Sequence, residues 1–363
     1  MTATNQNRSY YPALDGLRGF AILLVVFYHN FGFINYFFFG WLGVDLFFVL
    51  SGFLITDILL NTAGQPGFLQ NFYVRRVLRI FPLYYLTLIL LLIVLPLFDQ
   101  RILNLDYYID NQVWFWTYLQ NWLFIFYPPP NDTEALNHFW SLAVEEQFYL
   151  VWPFVILLLK KPKHILYLLI ALLVGVVTLR FVFWTYKIEN LAYYNLYTFS
   201  RIDGICIGSM LAVLRKINAK SINRYFTLIV LALAALNFVF YFFNKENRFS
   251  YPYLAIAGYT TFAVIFGLLV NEGVERDNVV VNKIFDFRLL KFFGRISYSL
   301  YVFHWPLYLL LSPWLENWFV QNQDWIAAPV AASVVSTLLA ILLAWLSFYF
   351  FEKPFLLLKK RFE

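Results

Sequence analysis

Residues 14–30 read LDGLRGFAILLVVFYHN, an apolar run between Arg18 and His29 that decides how the chain must fold. As a helix, the eleven-residue separation of Arg18 and His29 is almost three turns. Both side chains then leave nearly one face, roughly 16 Å apart along the axis. A membrane span takes about 20 residues of this character. In that setting Arg18 sits near one surface and His29 lies deep towards the other. Ionisable groups there are costly and mark a pathway or a reaction centre. Plainer roles exist for each. Asp15 suits an N-cap, Arg18 can snorkel to the interface, and His29 can be packed without a chemical task.

Composition generalises the reading. Of 363 residues, 61% are hydrophobic and 13% charged, with a mean hydropathy of +0.65. A soluble domain of this length has no use for so much apolar surface, so the class is all-α polytopic membrane protein. Aromatic residues make up 22% of the chain and gather at segment ends, as an interfacial belt would. The net charge of +6 falls in loops between apolar runs, which argues against nucleic acid as a partner. The single cysteine, Cys206, excludes a disulfide framework, and no HExxH, cysteine pair or aspartate-rich run points to a metal. No internal repeat and no appended soluble domain are visible, so residues 1–363 read as one domain in the lipid bilayer.

Spans are expected to begin near Leu17, Trp41, Pro82, Phe139, Ile165, Leu196, Tyr225, Tyr253, Leu289 and Ile326. An eleventh apolar stretch, Trp114 to Tyr127, is shorter and ends in three prolines. Basic loops containing Arg75, Arg76 and Arg79, then Lys160 to Lys163, then Arg215 to Arg224, belong on the cytoplasmic side. About ten transmembrane helices satisfy every loop if the Trp114 stretch is re-entrant or interfacial. Both termini are then cytoplasmic. This topology predicts His29, His304, Asp45, Glu145, Glu146, Arg201 and Asp203 at one outer level, and Arg18 with the three arginines at the inner end.

Four patterns could carry chemistry. Adjacent Glu145 and Glu146 in WSLAVEEQFYL point about 100° apart on a helix. One of them can orient an imidazole at His29, or pair with Arg201 as a buried salt bridge. Arg201, in SRIDGICIG, either neutralises a glutamate or holds an anion or carbonyl oxygen. Gly204 and Gly208 beside it form a small-residue packing face. Ser297, Tyr301 and His304 recur at i, i+4 and i+7, a polar stripe that should line a cavity and meet substrate. The tyrosine there either passes a proton or orients a substrate hydroxyl, or Tyr298 and Tyr301 are simply satisfied core tyrosines. Arg75, Arg76 and Arg79 immediately before a span either set orientation or bind phosphate through planar forks. His138 and His164 look unremarkable.

The blocks LDGLRGFAILLVVFYH, FFVLSGFLI, RRVLRIFPLYY, WSLAVEEQFYL, SRIDGICIG, GRISYSLYVFHWP and FEKP occur in this order between Tyr11 and Pro354. Together they resemble the acyltransferase 3 family of integral-membrane O-acyltransferases, over nearly the whole chain. The resemblance implies transfer of an acyl group, typically acetyl, from cytoplasmic acyl-CoA to a hydroxyl on an extracytoplasmic glycan or lipid-linked sugar. It implies that His29 is the essential histidine, that Arg18, Arg75, Arg76 and Arg79 serve the donor, and that Glu145 or Glu146 is critical. Acyl-CoA is then a substrate, with no permanently bound cofactor. The expected location is the bacterial inner membrane, with a separate extracytoplasmic protein as a conceivable acyl acceptor. The rival class is a transporter or flippase using the same polar groups as a path, although the paired, broken spans of such proteins are not visible.

Overall fold

The computed structural model describes residues 11–98, 102–188, 190, 192–217, 226–243, 254–322 and 328–362. Among these every regular element is helical. The principal helices are α1 (Pro12–Asn30), α2 (Leu42–Thr62), α3 (Phe68–Ile89), α4 (Trp140–Leu159), α5 (Pro162–Thr185) and α6 (Asp203–Lys216). They continue with α7 (Phe226–Phe243), α8 (Tyr259–Glu275), α9 (Ser297–Asn322) and α10 (Ala328–Leu346). Seven helical stretches among the described residues are long and apolar enough to cross a membrane: those containing α1 to α5, α8 and α10.

The other three expected spans coincide with α6, α7 and α9. Helix α6 has only 14 residues, about 21 Å, which falls short of a hydrocarbon core of about 30 Å. Helix α9 is long enough, but Ser297, Ser299, His304, Glu316 and Asn317 dilute its apolar character. Its start also differs from expectation. Leu289 belongs to a separate short helix, Arg288–Arg295, and the chain bends before Ser297. The expected starts at Tyr225, Tyr253 and Ile326, and most of the basic loop after Arg215, lie outside the described residues.

Two local expectations are corrected. Helix α1 begins at Pro12, whose missing N–H suits a first helical position, so Asp15 lies inside the first turn and is not the N-cap. Helix α3 begins at Phe68, well before Pro82, so Arg75, Arg76 and Arg79 are helical residues and not part of a loop. The Trp114 stretch does remain too short to cross, since it forms helices of five and seven residues, Gln112–Trp116 and Gln120–Phe126. Its freed carbonyls are capped by side chains. Tyr84 and Tyr85 donate to the carbonyls of Phe115 and Trp116, and Gln147 donates to that of Tyr118 at 2.8 Å. Irregular backbone inside a bundle is tolerated where neighbours satisfy it in this way.

Two close helix contacts fix the heights of the important side chains. A Cβ on Gly16 or Gly19 would fall 1.8 Å from the carbonyl oxygens of Phe285 and Leu290. Helix α1 therefore rests backbone against backbone on residues 285–294. Helices α2 and α6 meet in the same manner, since a Cβ on Gly208 would lie 2.0 Å from Val49 O, and one on Gly52 2.0 Å from Ile205 O. The small-residue face around Gly208 is a packing surface, as its spacing indicated.

Candidate active site

Helix α1 borders two different cavities. In its N-terminal half Arg18 lines a chamber of about 250 Å³, together with Arg76 and Arg79 of α3, Glu145 and Glu146 of α4, and Lys359. Four cationic and two carboxylic side chains thus face one space. Arg76 and Arg79 have no ion-pair partner among the described residues, whereas Arg18 lies 3.5 Å from Asp15. Arg75 is absent from the chamber wall; it is buried and its Nε donates to Asn71 O at 2.9 Å. Helical geometry explains the split, because residues three apart share a face and adjacent residues point about 100° apart.

Glu145 accepts from Ser51 Oγ and from the Tyr149 hydroxyl, each at 3.0 Å. Neither glutamate contacts His29 among the described hydrogen bonds. The expected single outer level of ionisable groups is therefore divided. The glutamates join the arginines, while the remaining acidic groups form ion pairs of their own. Arg201 Nη2 lies 2.8 Å from Asp45 Oδ1, so its partner is an aspartate and not Glu145 or Glu146. Arg180 Nη2 lies 2.6 Å from Asp203 Oδ2.

At the other end of α1, His29 lines a second cavity of about 180 Å³ with Arg201, His138 and Tyr259. Its hydrogen bonds determine which ring nitrogen is left bare. His304 Nδ1 is 2.8 Å from Tyr301 O and 3.0 Å from Leu300 O. Carbonyls only accept, so in the neutral ring this nitrogen carries the proton and Nε2 is bare. That bare nitrogen is 3.3 Å from His29 Nδ1, which also lies 2.9 Å from Val25 O. His29 Nδ1–H is thus the donor to both, and His29 Nε2 keeps its lone pair. The orienting group beside His29 is a second histidine and a backbone carbonyl, in place of the anticipated carboxylate.

The polar stripe on α9 divides similarly. Ser297 and Tyr301 line the arginine chamber, and Tyr301 also lines the histidine cavity. His304 is fully buried behind His29 and belongs to neither wall. Contact of His304 with substrate is therefore replaced by contact with His29. Tyr301 donates to His138 O at 2.6 Å and pairs with Ser141 Oγ at 2.6 Å. His138 completes a triangle, with its ring centroid 5.2 Å from that of His304 and 6.3 Å from that of His29. Sequence reasoning missed it, as it missed Arg180. The signal for Arg180 was a lone arginine in a span; His138 offered only its closeness to the Glu145 block.

Residues 11–345 match the acyltransferase domain that defines the acyltransferase 3 family. The chain belongs to that family. Among similar proteins is the peptidoglycan O-acetyltransferase OatA of Listeria monocytogenes, 31% identical over 97% of this chain and 56% of the relative. A Bacillus subtilis protein provisionally named a peptidoglycan O-acetyltransferase is 32% identical over 96% of this chain and 55% of the relative. A provisionally named O-acetyltransferase of Staphylococcus aureus is 30% identical over 95% and 57% respectively. The chain spans little more than half the length of these relatives. No solved structure matches it. The match gives the chain an acyltransferase domain, and the relatives it resembles are named for O-acetyl transfer.

Proposed function

We propose that the chain carries an acyl group, acetyl in the simplest case, from cytoplasmic acyl-CoA to a hydroxyl of an extracytoplasmic or lipid-linked carbohydrate. The observation that carries this reading is the placing of Arg18 and His29 about three turns apart on one helix, in cavities that share Val44 and Tyr301 as wall. Arg18, Arg76 and Arg79 suit the CoA phosphates, which arginine holds through paired hydrogen bonds. The pantetheine arm then follows α1 towards His29. His29 Nε2 accepts the proton of the acceptor hydroxyl while its oxygen bonds to the thioester carbon. As the C–S bond breaks, the proton passes from His29 to the departing thiolate.

The same reading places both termini in the cytoplasm of a bacterial inner-membrane protein, with α7, α9, and α6 lengthened by the Thr198–Arg201 turn before it, completing ten spans. Lys359 on the wall of the Arg18 chamber supports a common side for the two ends of the chain. The acceptor is a carbohydrate of the kind the relatives are named for, reached directly or through a separate extracytoplasmic protein. Purified protein in liposomes loaded with labelled acetyl-CoA, and presented with peptidoglycan fragments outside, tests the proposal. Wild type should transfer label. His29→Ala should lose about 10²- to 10⁴-fold in kcat with its melting temperature preserved. Absence of transfer and of acetyl-CoA hydrolysis by wild type would favour a transporter instead.

A further inference from the structure

Among the described residues Arg201 is the one arginine on the wall of the cavity that holds His29. Helix α6 starts just beyond it at Asp203, and the short turn Thr198–Arg201 sets it at the cavity floor. The side chain is 3% exposed. One corner of its guanidinium is committed, with Nη2 2.8 Å from Asp45 Oδ1. Its plane is held by aromatic rings, with the guanidinium carbon 4.0 Å from the Tyr259 centroid and 5.5 Å from that of Trp140. Tyr259 is itself tied down by donation to Asn195. Yet Nε and Nη1 of Arg201 have no hydrogen-bond partner among the described residues. Buried donors are nearly always satisfied, so such vacancies need an explanation.

Neutralising Asp45 does not account for the vacancies. Arg180, the other buried arginine of this region, uses its Nε on Ser200 O at 2.7 Å and its Nη2 on Asp203 at 2.6 Å. Arg201 by contrast holds two nitrogens in reserve, rigidly, in a space shared with a base. We propose that Arg201 is a catalytic residue whose Nε–H and Nη1–H receive the carbonyl oxygen of the acyl group as it becomes an oxyanion. The assignment rests on the acyl-transfer reading above. In the step, the acceptor oxygen adds to the thioester carbon, the hydroxyl proton goes to His29 Nε2, and the C=O electron pair moves onto oxygen facing Arg201. Collapse restores the carbonyl and expels the thiolate, which takes the proton from His29. The Asp45 partner keeps the resting site neutral, so the oxyanion meets N–H dipoles already in place and need not recruit an unpaired cation. Donors arranged in advance for developing charge are among the largest contributions to catalysis.

Two variants test this against a purely structural ion pair. Arg201→Lys keeps a cation beside Asp45 but removes the planar edge. Arg201→Met combined with Asp45→Leu removes both charges, a replacement buried pairs often tolerate. Each is purified as a monodisperse species, and kcat and the acetyl-CoA KM are measured in liposomes. Loss of one oxyanion donor costs about 10²–10³ in kcat, so both variants should fall by that much with donor KM little changed. A double variant with kcat within tenfold of wild type would show that Arg201 serves only Asp45, and would overturn the assignment. If the double variant does not fold, Arg201→Lys decides alone, and wild-type kcat there overturns it equally. Wild type without any acyl transfer overturns the underlying reading, and this assignment with it.

Discussion

His304→Leu separates a positioning role from a proton relay. The wild-type ring supplies one acceptor, Nε2, to His29 Nδ1–H at 3.3 Å, while Val25 O supplies the nearer one at 2.9 Å. Removing His304 leaves the second acceptor in place, so the tautomer that bares His29 Nε2 survives. The loss is then that of one ordinary net hydrogen bond, about 0.5–1.5 kcal/mol, or roughly two- to twelvefold in kcat. Leucine fills the fully buried site without a polar atom, and the Leu300 and Tyr301 carbonyls stay within helix α9, so folding should hold. Initial rates of acetyl transfer in liposomes, with acetyl-CoA varied, give kcat and KM separately. The expected result is a small fall in kcat with KM unchanged. A loss as large as that of His29→Ala would mean that protons travel through His304. A raised KM with unchanged kcat would mean that its ring meets the donor.

Arg76→Lys and Arg79→Lys should each raise the acetyl-CoA KM about ten- to a hundredfold, from loss of a charge-assisted contact of about 1.5–3 kcal/mol; Arg75→Lys, outside the chamber, should not, and equal effects at all three would refute the division. Gly208→Ala places a Cβ 2.0 Å from Val49 O, so the melting temperature should drop with a destabilisation of about 1–3 kcal/mol; an unchanged melt would show that α2 and α6 separate freely. A cysteine label at Asp132 should react with a membrane-impermeant reagent in intact cells, and one between Lys216 and Arg224 only after permeabilisation; reversal would invert the proposed direction of transfer.

Much of the site was legible because helical periodicity reports faces. Arg18 with His29, and Ser297 with Tyr301, share a helix and a polar side whatever surrounds them. Partner choice was not legible. Nothing in the spacing of WSLAVEEQFYL tells Glu145 to take Ser51 and Tyr149 and leave His29 to another imidazole. That choice depends on the heights at which α2, α4 and α9 pack. Helix starts were misjudged where polar residues continue a helix beyond its apolar part, as in α3, where three arginines sit in an unbroken helical turn sequence. The same misjudgement made Arg75 equivalent to Arg76 and Arg79, although the 100° step between neighbours already separated them. His138 escaped because it sits in a single short turn, Asn137–Phe139, whose approach to His304 is set entirely by tertiary packing.

The wall between the cavities bears on the chemistry more than either cavity alone. On the proposed reading a thioester arriving from one face of a membrane must reach a hydroxyl arriving from the other, while water, present at both faces, competes as acceptor. Val44 and Tyr301 line both cavities, so the partition there is one side chain thick. The Tyr301 hydroxyl is saturated at 2.6 Å by His138 O and Ser141 Oγ, which leaves its ring as an apolar face towards the donor arm. On the far side His29 is flanked by the rings of Tyr28 and Trp305, at 5.0 and 5.1 Å. Excluding water strengthens every charge interaction in the site and suppresses hydrolysis of the donor. A histidine oriented by a backbone carbonyl and a second imidazole is consistent with that requirement. A carboxylate at the same place would bring a charge, and with it a demand for hydration.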